Sequence, residues 1–184
     1  MKEIKRLPIG SVSFAQRLAL QLSAFWTASF LCSMFSYRYA WLGILCPVLA
    51  LYSLFVLSRG IAFYHIVNEV HSFVKRVFLG IMTCLFCTLV TTLVQYMYFA
   101  FVDGGRMMAA MLQLLEIPQY SQLIANMNPA MPMEEVIETF SKMTVNDIVR
   151  SIFMFNVFIS LPFGVIAALM SLIWKAKYTN KPEQ

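Results

Sequence analysis

Four long stretches of the chain are apolar on every side and contain no acidic side chain, no basic side chain and no histidine. They are residues 18–35, 40–57, 77–102 and 152–174. A helix rises about 1.5 Å per residue, so about 20 apolar residues cross the hydrocarbon core of a bilayer. A surface helix of a soluble protein would instead keep one polar face. The pattern therefore predicts an all-α protein built as a four-helix transmembrane bundle.

The segment between the second and third stretches, residues 58–76, has a different pattern. From residue 60 onward its polar side chains recur at helical spacing and share one face, which predicts an amphipathic inner linker helix lying in the headgroup layer. This face is either a docking site or a solvated surface beside anionic lipid. The side chains of the candidate docking site are His65, Glu69, Lys75 and Arg76.

The segment between the third and fourth stretches, residues 103–147, is predicted to be partly helical and to lie outside the membrane. It begins with an Asp-Gly-Gly turn. Residues 106–116 are expected to form a helix too apolar to stand in water, residues 117–132 a loop, and residues 133–142 a short acidic helix. Thr144 and Asp147 have the spacing of a capping box, so the last span is expected to begin there.

The distribution of Lys and Arg predicts how the chain is threaded. Ten of the 14 lie in the N-terminal segment, the inner linker and the C-terminal segment. Because cytoplasmic loops are enriched in Lys and Arg, both termini are expected to be cytoplasmic in a multi-pass protein. Residues 103–147 carry six acids and two bases. Topology explains the net charge of +5, so nucleic acid is not an expected partner.

Eight of the 13 methionines lie between residues 97 and 143, and methionine surfaces adapt to varied apolar partners. Copper(I) is the less favoured interpretation because no Cys or His accompanies them. Gln95 and Asn156 have matched depths in the third and fourth spans; they either border a groove beside the methionine helix or hold the helices together. The candidate ligand or partner surface comprises Met107, Met108, Met111, Leu112, Leu115, Gln95 and Asn156.

Cys84 and Cys87 form a C-x-x-C pair, which invites a thiol oxidoreductase hypothesis. They lie near the middle of the third stretch, where hydrocarbon disfavours a thiolate, and residues 103–147 contain no cysteine to meet a soluble partner. We expect them to be small packing residues. The sequence predicts no metal site, no cofactor and no catalytic motif.

Several aromatic and glycine patterns carry a family resemblance. They are Phe63-Tyr64-His65-Ile66-Val67-Asn68, Ser72-Phe73, Phe78-Leu79-Gly80 and Tyr96-Met97-Tyr98-Phe99-Ala100-Phe101-Val102-Asp103. From about residue 15 to residue 175 the chain resembles a bacterial four-span membrane family catalogued as domain of unknown function 4199. The resemblance implies a bacterial inner membrane and a context of envelope glycans or lipid carriers. It supplies no catalytic residues.

The absence of catalytic groups and the apolar outer segment predict a non-enzymatic accessory or scaffold subunit of a membrane complex. The alternative is a small translocator of lipid or lipid-linked sugar. A thiol oxidoreductase is the third and least favoured hypothesis. The expected partners are membrane lipids together with either another membrane protein or a second copy of the chain.

Overall fold

The computed structural model describes residues 10–36, 38–68, 72–127 and 132–179. The described residues form seven helices and no strand. The helices are α1 (Ser11–Phe35), α2 (Ala40–Val67), α3 (Phe73–Phe101), α4 (Arg106–Leu115), α5 (Pro118–Met127), α6 (Met133–Ser141) and α7 (Val145–Thr179).

The predicted all-α bundle is confirmed, because α1, α2, α3 and α7 are each long and apolar enough to cross a bilayer. They indicate a multi-pass membrane protein. All four helices extend beyond the uncharged stretches of the sequence. Helix α2, for example, has 28 residues, and its length of about 42 Å matches the thickness of a bilayer that includes both headgroup layers. Pro47 and Pro162 lie inside α2 and α7, as bundled spans tolerate.

Contacts divide the chain into two units, of which the first comprises the residues up to Leu93 and those from Phe153 onward. Within it, α1 packs antiparallel to α2, and the indole of Trp26 donates to Ser53 Oγ across a 3.0 Å gap. The small residues Ala15, Ala19 and Ser23, four positions apart on α1, are buried.

α3 and α7 approach each other closely at Gly80 and Gly164 in the first unit. A Cβ on Gly80 would lie 2.6 Å from the Gly164 carbonyl oxygen, and one on Gly164 would lie 2.7 Å from the Ile81 nitrogen. Neither distance is compatible with a side chain, so the two backbones touch. Further along, Thr88 Oγ1 and Ser160 Oγ share a 2.9 Å hydrogen bond.

The separate inner linker helix is not observed. Residues 60–67 continue α2, and residues 73–76 form the first turn of α3, while residues 69–71 lie outside the described residues. Helix α2 continues because a span that crosses the headgroup layer retains its hydrogen bonds there, and the polar residues of that layer do not end it. The helical periodicity was correctly predicted, but it belongs to the ends of two spans.

The second unit, Val94–Ile152, contains α4, α5 and α6 with the adjoining ends of α3 and α7. Its turn uses Gly104 and Gly105, both with positive φ, and the Asp103 carboxylate accepts the Met107 N–H at 3.2 and 3.3 Å from its two oxygens. Helix α4 packs against α5 and α6. The helices predicted at 106–116 and 133–142 are confirmed.

The predicted loop at residues 117–132 is wrong, since α5 occupies Pro118–Met127. Proline is accommodated in the first turn of a helix, where its missing N–H would have no intrahelical partner. The predicted capping box is confirmed. Thr144 N–H donates to the Asp147 carboxylate at 3.0 Å, Asp147 N–H donates to Thr144 Oγ1 at 3.3 Å, and α7 begins at Val145.

Candidate functional site

The methionine face of α4 is largely covered within the second unit. Met107, Met108, Met111 and Leu112 are half-buried and Leu115 is buried. Val136 of α6 is buried as well, consistent with the packing of α6 on α4. These residues therefore belong mainly to the packed interior of the unit.

Other apolar side chains of the second unit face outward. From the start of α4 to the end of α6 the exposed large ones are Leu114, Ile117, Tyr120, Leu123 and Ile137. Ile117, Tyr120 and Leu123 lie in residues 117–132, for which the sequence pattern predicts a loop, so no helix face is assigned to them. With α5 helical, they supply an apolar surface outside the spans.

Gln95 and Asn156 belong to different units. Gln95 is 5% exposed in the second unit. Asn156 is half-buried in the first unit, where its backbone carbonyl accepts a hydrogen bond from Ser160 Oγ at 2.7 Å. Their participation in one groove stays a prediction.

The residues predicted to form an inner docking face have divergent environments. His65 is 2% exposed and Arg76 is 1% exposed, whereas Lys75 is exposed. Glu69 lies outside the described residues. His65 and Arg76 are therefore interior side chains. The helical periodicity separated a polar from an apolar face, but in lipid the apolar face turns outward and polar side chains turn into the bundle.

Arg76 is the charged group most deeply buried among the described residues of the first unit. Its guanidinium donates from Nη1 to Ser171 Oγ at 3.0 Å, and that hydroxyl donates onward to the Ala168 carbonyl at 2.6 Å. The buried Nε of Arg76 has no hydrogen-bond partner in the described chain. A guanidinium in this position joins α3 to α7 through a single side-chain hydrogen bond.

Several buried hydroxyls of the first unit form hydrogen bonds between or within helices, whereas the buried Thr92 Oγ1 has no hydrogen-bond partner among the described residues. Ser53 and Ser58 each donate to a carbonyl one turn earlier, and each accepts an indole N–H, from Trp26 and Trp174 respectively. Thr83 donates to the Leu79 carbonyl at 2.7 Å. The hydroxyls of Ser53 and Ser58 therefore each join two helices, and that of Thr83 bonds within α3.

Cys84 and Cys87 are fully buried. The Cys87 sulfur lies 3.9 Å from Thr91 Oγ1, and all four cysteines of the chain are free thiols. Their burial agrees with the packing role expected from the sequence. In the ranges that the structure describes, no group of three His, Cys, Asp or Glu side chains is placed to hold a metal ion.

The first unit also has a lateral groove of about 920 Å³ between α1 and α2. Arg17 and Arg59 line it, and both side chains are exposed. The remaining wall is mostly aromatic and aliphatic, from Phe14, Leu18, Gln21, Tyr52, Phe55, Val56, Gly60, Phe63, Ile66 and Val67. Sequence reasoning treated the two arginines only as topology markers. The signal that could have found them is their spacing: each arginine lies three or four residues from an apolar residue of the groove wall, which places it on the same helix face.

Comparison with known proteins agrees with the resemblance expected from the sequence. A family model described as "Protein of unknown function (DUF4199)" matches residues 17–175. No curated protein and no solved structure matches the chain. The matched residues run from the first turns of α1 almost to the end of α7 and include both units. This chain belongs to the DUF4199 family of proteins of unknown function.

Proposed function

We propose that this protein is a non-catalytic accessory subunit of a bacterial inner-membrane complex, with both termini in the cytoplasm. The observation that carries the proposal is the exposed apolar surface of the second unit, formed by Leu114, Ile117, Tyr120, Leu123 and Ile137. These side chains lie outside the four spans. Apolar side chains concentrated outside the hydrocarbon layer are typical of a surface that contacts a partner.

Charge favours a protein over a lipid surface as that partner. Residues 103–147 carry six acids and two bases, and Glu134, Glu135 and Glu138 are exposed on α6. Anionic lipid headgroups repel carboxylates, whereas a partner protein with basic side chains attracts them. The proposed partner is therefore a membrane protein that presents an apolar patch with a basic rim.

The packing of the first unit also supports a subunit with no transport path of its own. Its helices touch at Gly80 and Gly164, and the hydroxyls of Ser53, Ser58 and Thr83 are engaged in hydrogen bonds. The translocator alternative, which predicts a groove beside Gln95, Asn156 and the methionine helix, gains no support from the groove between α1 and α2. That groove extends from the start of α1 only to Gln21, and beyond it Trp26 bridges to Ser53.

The proposal is tested by site-specific photo-crosslinking of the full-length protein in its native membrane. A photoreactive residue replaces Leu123, which is 57% exposed, and the matched control replaces Phe158, which is exposed in the span of α7. The proposal expects a discrete heteromeric adduct at position 123 and lipid adducts at position 158. The position-123 adduct should fall several-fold when Glu134→Gln and Glu138→Gln are combined.

Two results would overturn this function. An adduct of twice the protein's own mass at position 123 would identify a second copy as the partner. Lipid adducts alone at position 123 would identify the apolar surface of the second unit as a membrane contact.

A further inference from the structure

The groove between α1 and α2 combines apolar walls with two cationic side chains, Arg17 and Arg59. On α1 its lining residues recur at positions 14, 17, 18 and 21, and on α2 they run from 52 to 67 along one helical face. Gly60 permits this close approach, because a Cβ there would lie 2.6 Å from the Leu18 side chain. The two helix faces are therefore positioned to contact one ligand.

Arg17 and Arg59 lie at similar depth from the same end of the first unit. Arg17 is six residues after the start of α1, and Arg59 is eight residues before the end of α2. Because a helix rises about 1.5 Å per residue, Arg17 and Arg59 lie about 9 and 12 Å from these helix ends. The headgroup layer is about 5–7 Å thick on each side of the core. Long side chains that extend toward the helix ends from these positions reach the level of lipid phosphates.

Neither arginine has a partner within the described residues. No hydrogen bond, ion pair or ring contact of Arg17 or Arg59 exists there, and the described residues that line the groove include no carboxylate. Elsewhere in the first unit the buried Arg76 at least engages Ser171. Two unpaired guanidinium groups beside an aromatic and aliphatic wall are complementary to an anion that carries a hydrocarbon chain.

We infer that this groove binds one anionic phospholipid, with its phosphate between Arg17 and Arg59 and an acyl chain along the wall formed by Tyr52, Phe55 and Phe63. The groove lies between two helices long and apolar enough to span a membrane, so a bilayer lipid is the occupant that we expect. A volume of about 920 Å³ is near the upper limit of the usual range for small-molecule sites, about 300–1,000 Å³. The inference is independent of the proposed partner at the second unit.

The experiment uses the full-length protein in mild detergent, with lipid binding counted by native mass spectrometry. The probes are phosphatidylglycerol and phosphatidylcholine with identical acyl chains. Charge-assisted hydrogen bonds to a phosphate predict that Arg17→Gln and Arg59→Gln each weaken phosphatidylglycerol binding about tenfold. Phosphatidylcholine carries the same phosphate, but the two guanidinium groups repel its choline cation, so it should bind the natural protein more weakly and lose less affinity in either variant.

Lys75→Gln is the matched control, because Lys75 is an exposed cation in the first turn of α3 and does not line the groove. It should leave phosphatidylglycerol binding unchanged. The double variant Arg17→Lys with Arg59→Lys keeps both charges and should retain most of the phosphatidylglycerol binding. This result would show that the glutamine variants lose binding because they lose the contact with the lipid and not because they misfold. Glycerol 3-phosphate, added in excess, should not displace the lipid because it has no acyl chain.

Three results would overturn the inference. The double glutamine variant binds phosphatidylglycerol as tightly as the natural protein, or Lys75→Gln weakens binding as much as either groove substitution, or glycerol 3-phosphate displaces the lipid. The first or second result would mean that the arginines act only as part of the general surface charge. The third would mean that the site binds a soluble phosphate compound.

Discussion

The two units of this molecule differ in where most of their polar side chains lie. The first buries Ser53, Thr83 and Arg76 and exposes aliphatic and aromatic side chains, such as Ile44 and Phe158. The second exposes most of its carboxylates on the helices between the spans and buries Leu115 and Val136. The same helical periodicity thus gives opposite orientations, and the surrounding medium decides which face turns inward.

The units also differ in the range of their stabilising interactions. In the first unit, side chains distant in sequence hydrogen-bond across helices, as Arg76 does with Ser171 and Trp174 with Ser58. In the second, the hydrogen bonds of Asp103 to Met107 and of Thr144 to Asp147 cap the ends of single helices. Substitutions in the first unit should therefore affect the whole bundle, and substitutions in the second should act locally.

The largest effect is expected at the contact between α3 and α7. Gly80→Ala and Gly164→Ala each place a Cβ within 2.7 Å of the facing backbone, so each should lower the free energy of unfolding by about 3 kcal/mol. Unfolding in mixed detergent micelles measures this. The control is Gly43→Ala, whose Cβ would have its nearest contact at 3.7 Å and which should gain about 0.5 kcal/mol from helix propensity. Equal effects at all three glycines would contradict the backbone contact.

A smaller effect is expected from the bond that holds Arg76. Ser171→Ala leaves the buried Nη1 of Arg76 without its acceptor, and an unsatisfied buried group costs about 2 kcal/mol. The same unfolding measurement checks it. Ser33→Ala, at an exposed position of α1, should change the free energy by less than about 0.5 kcal/mol. A stability loss for Ser33→Ala matching that of Ser171→Ala would refute the role of the bond.

The capping box should contribute less still, and only locally. Thr144→Ala removes the acceptor of the Asp147 N–H and the hydroxyl donor to its carboxylate, which should cost about 1 kcal/mol. Hydrogen exchange should accelerate at residues 145–150 and stay unchanged in α1 and α2. Thr139→Ala removes a hydroxyl that bonds only within α6 and is the matched control. Faster exchange throughout α1 and α2 would show that the units are not independent in stability.

The smallest effect is expected at the exposed ion pair of Glu138 and Lys142 on α6. Both side chains are largely exposed, so Glu138→Gln should change the free energy of unfolding by less than about 0.5 kcal/mol. A loss of 2 kcal/mol or more would mean that the second unit depends on its surface charges, and the comparison between the units would need revision.

The sequence predicted the number and type of the long helices because length and lack of charge are sufficient for that purpose. The predicted spans were shorter than the helices, because the length rule ends a span at the first charged residue. Arg17, Arg59 and Arg76 all lie inside helices. The capping box at Thr144 was predictable because two hydrogen bonds depend on a fixed local spacing. The helical state of Pro118–Met127 was missed because the breakers Asn128-Pro129 and Pro132, which lie after this helix, were interpreted as a sign that all of residues 117–132 form a loop.

The candidate sites were less predictable, because they depend on contacts between distant residues. No local pattern shows that Arg76 meets a side chain 95 positions later, or that Gly80 faces Gly164. The groove with Arg17 and Arg59 likewise requires two helices to be placed side by side. The methionine face of α4 was correctly recognised as apolar, but its coverage depends on the packing of α4 with α5 and α6.

The bond between Arg76 and Ser171 also constrains biogenesis. During synthesis the ribosome releases α3 well before α7, so Arg76 enters the translocon region with its later acceptor still unmade. Until α7 arrives, the guanidinium has to remain hydrated or turn toward the headgroups, which keeps α3 from settling fully into the hydrocarbon. The bundle therefore closes late, and nascent chains that stop before α7 should be substrates for membrane quality-control proteases.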